Sequence, residues 1–324
     1  MAIYKFYNIQ MLPIEVGVKE IGYEGYCKLF KSMGDLVQDA KKRKLKLSSI
    51  AVPLRGDMFF APFSVSEFEY AGSDGARKVV YGSFLKFDDV NELVNTNSGE
   101  TEFRSKGNTS SRRFDFEFVF DPYTHVLAIH DDKGLPSRNP LINALKKTIS
   151  VHAVKNFKEH SLEIDELTSG DSIRTFLEEP KKGYKRYSGI VSFSNSDAFD
   201  DAAEMQLSKE YEQELKDLRV GKWESNYKSF DKSLMTDLPK TAKAQLLLAA
   251  KYGNAEVSYV DEHGDRKKYQ MEDYPVRESL DDKAFRGMRN RVLEVKKLII
   301  DAIKKTKVRK KISAENKEFI DKND

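Results

Sequence analysis

Apolar side chains recur at two different spacings in the first half of the chain. Five of them return every third or fourth residue, which places them on one face of a helix: Tyr26, Phe30, Met33, Val37 and Ala40. Four phenylalanines instead occupy every second position, as in a strand: Phe114, Phe116, Phe118 and Phe120. The pattern therefore predicts an amphipathic helix and, later in the chain, a strand whose phenylalanine face lies in the core.

The segments around these two elements carry mostly β signals. Residues 3–9 are aromatic and β-branched, and short apolar runs between residues 50 and 87 are broken by glycine turns. The turn at residues 121–124 predicts a hairpin that returns through residues 126–130. A helix is predicted to begin at Pro140 with Asn139 as its N-cap, because proline lacks an N–H that the first turn leaves unpaired.

The second half alternates short strands with helices. Residues 162–167 and 187–193 read as strands, and residues 200–218 as a helix with an acidic face. Residues 222–238 show no period and are predicted to form a loop that contains Trp223. An alanine-rich helix follows from Pro239 to Lys251, with Gly253 as a left-handed end, and a hairpin turns at residues 261–264.

A near-heptad stripe marks the predicted C-terminal helix, residues 281–306. Its apolar members are Phe285, Met288, Val292, Val295, Ile299 and Ala302. Such a stripe either lines a two-helix dimer seam or packs on the first domain. The two alternatives stay open at the level of sequence.

These elements predict an α+β fold of two domains, with mostly antiparallel sheets flanked by helices. A weakening of the core pattern near residues 150–160 places a domain junction there, so we expect a first domain over residues 1–155 and a second over residues 156–280. Residues 308–324 are expected to form a flexible tail. A chain of 324 residues fits two domains of ordinary size.

Composition narrows the class of protein. The chain is 40% hydrophobic and 33% charged and has a single cysteine, Cys27, which excludes an intramolecular disulfide. Neither a secretory signal nor an apolar membrane span is evident, so we expect a cytoplasmic protein without membrane insertion. The phosphate-binding glycine motifs and the serine-hydrolase elbow are missing from the sequence, so no cofactor is expected.

Basic residues are gathered into runs although the net charge is only +3. The runs are Lys41, Lys42, Arg43, Lys44 and Lys46; Arg104, Lys106, Arg112 and Arg113; Lys181, Lys182, Lys185 and Arg186; and Lys304, Lys305, Lys307, Arg309, Lys310 and Lys311. Each run alone is typical of a solvated face or a helix end. Together they favour phosphate binding that is largely blind to base sequence.

Three further groups of residues could form metal or base-stacking sites, but each also has a purely structural explanation. His130, Asp131 and Asp132 resemble part of a nuclease metal site, but acidic residues are common where a strand turns. Asp200, Asp201 and Glu204 could bind a divalent ion, although the first turn of a helix favours carboxylates anyway. Trp223 and Tyr227, beside Lys222 and Lys228, either stack on bases or belong to a surface loop with a tucked tryptophan.

Several segments in this order resemble a bacterial and prophage family related to the lambda RexA phage-exclusion protein. They are the strand at residues 114–120 with its hairpin, the helix at Asn139-Pro140, residues 194–197, the helix end at residues 247–254, and Tyr274-Pro275. The resemblance spans residues 3–307. Ser194 stands where the family has the proline of a Pro-Asn-x-Asp-like segment, which puts a role for that turn in doubt.

The resemblance implies a homodimeric, non-enzymatic protein that binds double-stranded DNA without sequence preference in abortive infection or superinfection exclusion. It also implies that the long C-terminal helix returns to the first domain, so that residues 1–155 and 281–307 form one globular body while residues 156–280 swing as a separate, swivel-like domain. The resemblance further implies a partner protein in the same defence system, and it supplies no catalytic residue. Two other hypotheses compete with this one. The first is a metal-dependent nuclease that uses His130, Asp131 and Asp132, and the second is a protein-interaction module that acts through the acidic helix at residues 200–218.

Overall fold

The computed structural model describes residues 1–14, 17–72, 75–90, 92–104, 109–192, 218, 220–281 and 287–308. Its strands are β1 (Ala2–Pro13), β2 (Val52–Pro53), β3 (Met58–Gly72), β4 (Gly75–Asp88), β5 (Glu92–Val94), β6 (Thr101–Arg104), β7 (Arg113–Asp121), β8 (Val126–His130), β9 (His160–Glu166), β10 (Lys181–Ser192), β11 (Lys222–Lys228), β12 (Gly253–Asp261), β13 (Arg266–Gln270) and β14 (Arg277–Leu280). Its helices are α1 (Gly22–Lys42), α2 (Arg138–Asn156), α3 (Gly170–Glu178), α4 (Lys240–Tyr252) and α5 (Met288–Thr306).

A large, curled antiparallel sheet organises the first part of the molecule. Its strands follow the order β14-β1-β8-β7-β4-β3-β2, and β9 also pairs with β1. The predicted face of α1 is buried against the phenylalanine face of β7, together with α2. On the other face, Val292, Val295, Ile299 and Ala302 of α5 pack against β1 and β8. The large sheet is therefore covered on both faces.

The stripe on α5 packs inside the chain. Val295, Ile299 and Ala302 are completely buried against the large sheet, so they cannot at the same time form a dimer seam. Of the two alternatives left by the sequence, packing on the first domain is correct. Phe285 lies outside the described residues, and Met288 is exposed.

A second antiparallel sheet has the strand order β11-β10-β12-β13. Helices α3 and α4 pack on one of its faces, where Tyr187, Val257 and Tyr269 are buried together with Leu246. Buried residues alternate with half-buried ones along β12, so the described residues cover the opposite face less completely. The α+β fold with antiparallel sheets and a returning C-terminal helix is confirmed.

The two sheets meet along β1 and β9. The backbone N–H of Thr168 donates to Ala250 O at 2.8 Å, and Asn8 Nδ2 donates to Lys251 O at 3.2 Å. Strands β9 and β14 pair with β1, so residues 160–166 and 277–280 belong to the large sheet. The proposed swivel of residues 156–280 remains a prediction, and the tail 309–324 lies outside the described residues.

Three local predictions were wrong. Helix α2 begins at Arg138 after Ser137, so Pro140 lies within its first turn rather than at its start. Residues 222–228 form strand β11, because Trp223 and Tyr227 alternate with solvent-facing residues although the segment carries little apolar signal. Gly253 is extended, with φ 176°, instead of left-handed. Glycine is needed there because a Cβ would lie 1.9 Å from Ile190 O.

Among the described residues, none of the helices combines the length and the apolar character that crossing a bilayer requires.

Candidate nucleic-acid interface

The uncovered face of the second sheet is formed by every second residue of its strands. Register places Arg186 opposite Lys228 on one side and Ser258 on the other, and Ser258 opposite Lys268. Neighbouring strands lie about 4.8 Å apart, so these residues form one row across the sheet. We call this surface the open face. It presents polar and charged side chains because the aromatic residues of the same strands point toward α3 and α4.

A basic cleft lies at one end of the open face. It has a volume of about 510 Å³ and is lined by Lys185, Lys232, Arg266, Lys267 and Lys268, with Tyr259 and Val260. Lys185 Nζ donates to Ser233 O at 3.0 Å, which holds this amine at the wall. Two carboxylates offset part of the charge, since Lys268 pairs with Glu256 at 2.8 Å and Lys267 with Asp261 at 3.1 Å. The cleft is strongly cationic and suits an anion.

The predicted run at residues 181–186 divides into members with different roles. Lys182 and Arg186 are exposed, and Lys185 lines the basic cleft. Lys181 is different, because its side chain is only 2% exposed. Its amine donates to Phe176 O and Glu179 O and lies 4.5 Å from the Phe176 ring. Burial lowers the pKa of Lys181, although Glu179 opposes that shift. Lys181 therefore belongs to the packing of α3, and its prediction as a phosphate ligand was wrong.

A second basic cleft forms where α1 ends against β3 and β4. The structure brings Lys41, Lys44 and Lys46 of the first predicted run beside Arg113 around a volume of about 460 Å³. Lys41 Nζ lies 4.8 Å from the ring of Phe63, and the Arg113 guanidinium lies 5.0 Å from the same ring. Lys42 and Arg43 are exposed nearby, and Arg43 pairs with Asp39. Two runs that are far apart in sequence thus share one surface.

Asp88 fixes the loop that carries Arg112 and Arg113. Its carboxylate accepts hydrogen bonds from the hydroxyls of Ser110 and Ser111 and from the backbone N–H of Ser111 and Arg112. Burial alone would raise the pKa of Asp88, but these hydrogen bonds lower it below its usual value. Arg113 is further held by Asp115 at 2.8 Å. The loop is therefore built around an ionised carboxylate, while Lys106 lies outside the described residues.

The third run is largely neutralised where the structure describes it. Lys304 pairs with Asp301 at 3.0 Å and Lys305 with Glu278 at 2.6 Å. Both lysines lie at the end of α5, where cations also suit the helix dipole. Arg309, Lys310 and Lys311 lie outside the described residues. This run therefore offers little uncompensated charge in the part of the chain that is described.

Trp223 and Tyr227 do not form a stacking platform. Both side chains pack against the core under α4, and Tyr227 Oη lies 2.8 Å from Thr241 Oγ1. Gln245 also donates to Trp223 O at 2.8 Å. The alternative of a tucked tryptophan was correct, although it lies on a strand rather than in a loop.

The cluster at His130 is built of ion pairs to basic residues. Asp131 lies 3.1 Å from Lys5 and 3.8 Å from Arg277, and the His130 ring lies against Tyr4 at 5.4 Å. Among the described residues, no group of three His, Cys, Asp or Glu side chains is placed to hold a metal. Asp200, Asp201, Glu204 and the rest of the predicted acidic helix up to residue 217 lie outside those residues.

Sequence reasoning missed most of the basic cleft on the open face. Arg266, Lys267 and Lys268 are consecutive, and this run was read only as part of a strand. Lys232 was part of the segment predicted to be a loop, and it adopts φ 61° in the turn after β11. A signal was present, because three adjacent cations on an edge strand must place at least one on each face. The hairpin that pairs β13 with β12 was predicted, but the pairing of β12 with β10, which brings these cations beside Lys185, was not readable from any local pattern.

Comparison with known proteins gives a family without an assigned activity. No curated protein matches the chain. The family described as "Domain of unknown function (DUF4747)" matches residues 5–300, which include both sheets and both basic clefts. Because this match covers far more than half of its length, the chain belongs to the DUF4747 family.

Proposed function

We propose that the protein binds double-stranded DNA through its phosphates, without sequence preference and without catalysis. The open face of the second sheet is the principal contact, and the cleft at the end of α1 is the second. The observation that carries this proposal is the convergence of Lys185, Lys232, Arg266, Lys267 and Lys268 on one cleft. Cations from two strands and a turn meet there, and Glu256 and Asp261 pair with two of them.

The physical basis is counterion release. Each phosphate that a lysine or arginine neutralises frees condensed counterions, so affinity falls steeply as salt rises. We expect the lysines and arginines of the basic cleft to contact phosphates rather than base edges. Phosphate contacts position a protein on a duplex without specifying sequence.

The test is fluorescence anisotropy of a labelled duplex of about 30 base pairs over a salt series. We expect the slope of log K against log salt to become less steep by about 2 when Lys232→Gln and Arg266→Gln are combined. The matched control removes two charges elsewhere, Lys147→Gln with Lys240→Gln, and leaves the slope unchanged. Binding that is absent at low salt, or equally salt-dependent in both double variants, would refute the proposal.

The biological setting that we propose is phage exclusion, which is supported by the resemblance to RexA-like proteins. The same resemblance supports a homodimer and a partner protein. The α5 stripe no longer supports dimerisation, since it is buried within the chain. The measurement is the efficiency of plating on cells that carry the wild-type chain or the Lys232→Gln, Arg266→Gln variant. Equal plating with both would separate DNA binding from defence.

A further inference from the structure

We propose that Phe230 is an apolar wedge that enters the stacked bases of the duplex bound at the open face. This inference rests on the proposed function. Phe230 follows β11 and is 89% exposed, whereas the aromatic residues of β10, β12 and β13 are buried. A single exposed apolar residue is common on protein surfaces, so the exposure alone decides nothing. The proposal rests on the hydrogen bonds that hold the backbone of Phe230 and on the cations near it.

The turn that presents the ring is rigidly held. Ser233 N–H donates to Phe230 O at 3.1 Å, and the Ser233 hydroxyl donates to the same oxygen at 3.0 Å. Ser229 N–H donates to Lys185 O at 3.0 Å, and its hydroxyl to Ser233 O at 2.9 Å. Lys232 takes the left-handed conformation, with φ 61°, inside the same turn. The chain thus fixes the backbone of Phe230 while it leaves the side chain in water.

The backbone of Phe230 lies beside the basic cleft. Lys185 Nζ lies 3.4 Å from Phe230 O, and both Lys185 and Lys232 line the cleft. Lys228 lies two residues before the ring at the end of β11 and is exposed. When lysines beside an apolar side chain bind the phosphates of a duplex, that side chain is brought close to the bases. Proteins that use such wedges insert Phe, Leu, Ile or Met between base pairs and bend the duplex.

The chemistry of a wedge differs from that of a stacking platform. A wedge works by filling the space between unstacked base pairs, so an aliphatic side chain of similar length replaces it. A platform for an unpaired base needs a flat aromatic surface and loses its function when it becomes aliphatic. Leucine and tryptophan at position 230 therefore distinguish the two uses.

The experiment measures duplex affinity, its salt slope and the distance between the duplex ends by energy transfer. For Phe230→Ala we expect roughly a tenfold loss of affinity with an unchanged salt slope, because no charge is removed. The ends of the duplex approach each other with the wild-type protein and with Phe230→Leu, but not with Phe230→Ala. The matched control is Phe103→Ala on β6, where an equally sized ring is 49% exposed, and it should change neither quantity.

Two outcomes would overturn the wedge while DNA binding itself stands. One is a Phe230→Ala variant with wild-type affinity and wild-type bending. The other is loss of binding in Phe230→Leu together with full binding in Phe230→Trp, which would indicate stacking on an unpaired base. A wild-type protein that binds no duplex at low salt would instead remove the proposed function as well.

Discussion

The two sheets of this protein differ in how many of their faces are covered. The large sheet buries side chains on both faces, beneath α1 and α2 on one and beneath α5 on the other. In the part of the chain that the structure describes, the second sheet buries only the face beneath α3 and α4, and it carries polar and charged side chains on the other, with cations gathered in the basic cleft. A sheet needs one covered face to be stable, so the second face is available for a ligand.

The same comparison explains why the basic residues differ in role. At the large sheet, Lys41 and Arg113 lie at the rim, where they contact the Phe63 ring. At the second sheet, Lys228, Arg186 and Lys268 lie in one row across the open face, from one edge strand to the other. Cations spread across a sheet face can contact several phosphates, whereas cations at a rim contact fewer. Substitutions in the core of the large sheet should therefore affect stability, and substitutions of cations on the open face should affect binding.

The largest effect is expected in the doubly covered sheet. Phe118 lies in the core between α1 and the sheet, with its ring 4.7 Å from that of Phe84. Phe118→Ala should lower the free energy of unfolding by about 3–5 kcal/mol, because the cavity it leaves cannot refill. Urea denaturation measures this change. Arg186→Gln on the open face serves as the comparison and should stay within about 0.5 kcal/mol. Similar losses for both would contradict the difference between the sheets.

A smaller change in the free energy of unfolding, this time a gain in stability, is expected where the two sheets meet. Burial raises the pKa of Asp165 on β9 to about 6, with Lys146 opposing the shift and Glu163 adding to it. Its Oδ2 lacks a hydrogen-bond partner among the described residues. The carboxylate is therefore a cost to the folded state at neutral pH, and Asp165→Asn should stabilise the protein there by about 2 kcal/mol.

Measuring the stability gain of Asp165→Asn at two pH values separates the effect of charge from that of packing. A carboxyl whose folded pKa lies above its unfolded value of about 3.9 binds its proton more tightly when folded. The stability it contributes is present at low pH and is lost as pH rises from about 4 to about 6. The advantage of Asp165→Asn should therefore be full at pH 7.5, measured by urea denaturation, and nearly absent at pH 4. An advantage of equal size at both values would point to packing instead of charge.

The sequence was most informative where one periodic pattern matched one buried face. The helix that buries Tyr26, Phe30 and Met33 and the phenylalanine strand were both predicted, because their burial is complete and one-sided. The strand at residues 222–228 was missed because its inward residues are Trp223, Ser225 and Tyr227, a weak apolar signal. Pairing between distant strands, such as β1 with β9, leaves no mark in local periodicity.

The candidate site was predictable only in part, for the same reason. Runs of charge located Lys41, Lys185 and Arg113, since clustered cations are visible in any sequence. The runs did not reveal that Lys181 is buried, because a lysine whose amine bonds to helix carbonyls looks like any other. Phe230 was equally hidden, since exposure of a single ring depends on the turn that holds it. Which charges converge is decided by tertiary pairing.

Substitution of the buried Lys181 should change stability by a smaller amount and leave DNA binding unchanged. Lys181→Met keeps the aliphatic stem but removes the amine that donates to Phe176 O and Glu179 O. Those two carbonyls at the end of α3 lose a partner, so the protein should lose about 1–2 kcal/mol of stability. The salt slope of DNA binding should stay unchanged, because this amine is not on the open face. Lys182→Met next to it is the control and should leave stability unchanged. A weaker salt slope for Lys181→Met would return this lysine to the interface.

The smallest effect is expected at the end of α5. Lys304 and Lys305 were predicted DNA ligands, but each has a carboxylate partner, Asp301 and Glu278. A phosphate would have to displace that partner, and exposed pairs of this kind contribute about 0–1 kcal/mol to stability. Combining Lys304→Gln with Lys305→Gln should change the salt slope far less than combining Lys232→Gln with Arg266→Gln, which line the basic cleft. Anisotropy over the same salt series compares the two pairs at equal change in net charge. An equal reduction of the slope by both would mean that the duplex extends from the open face to the end of α5, and that the covered sheet takes part in binding through its last helix.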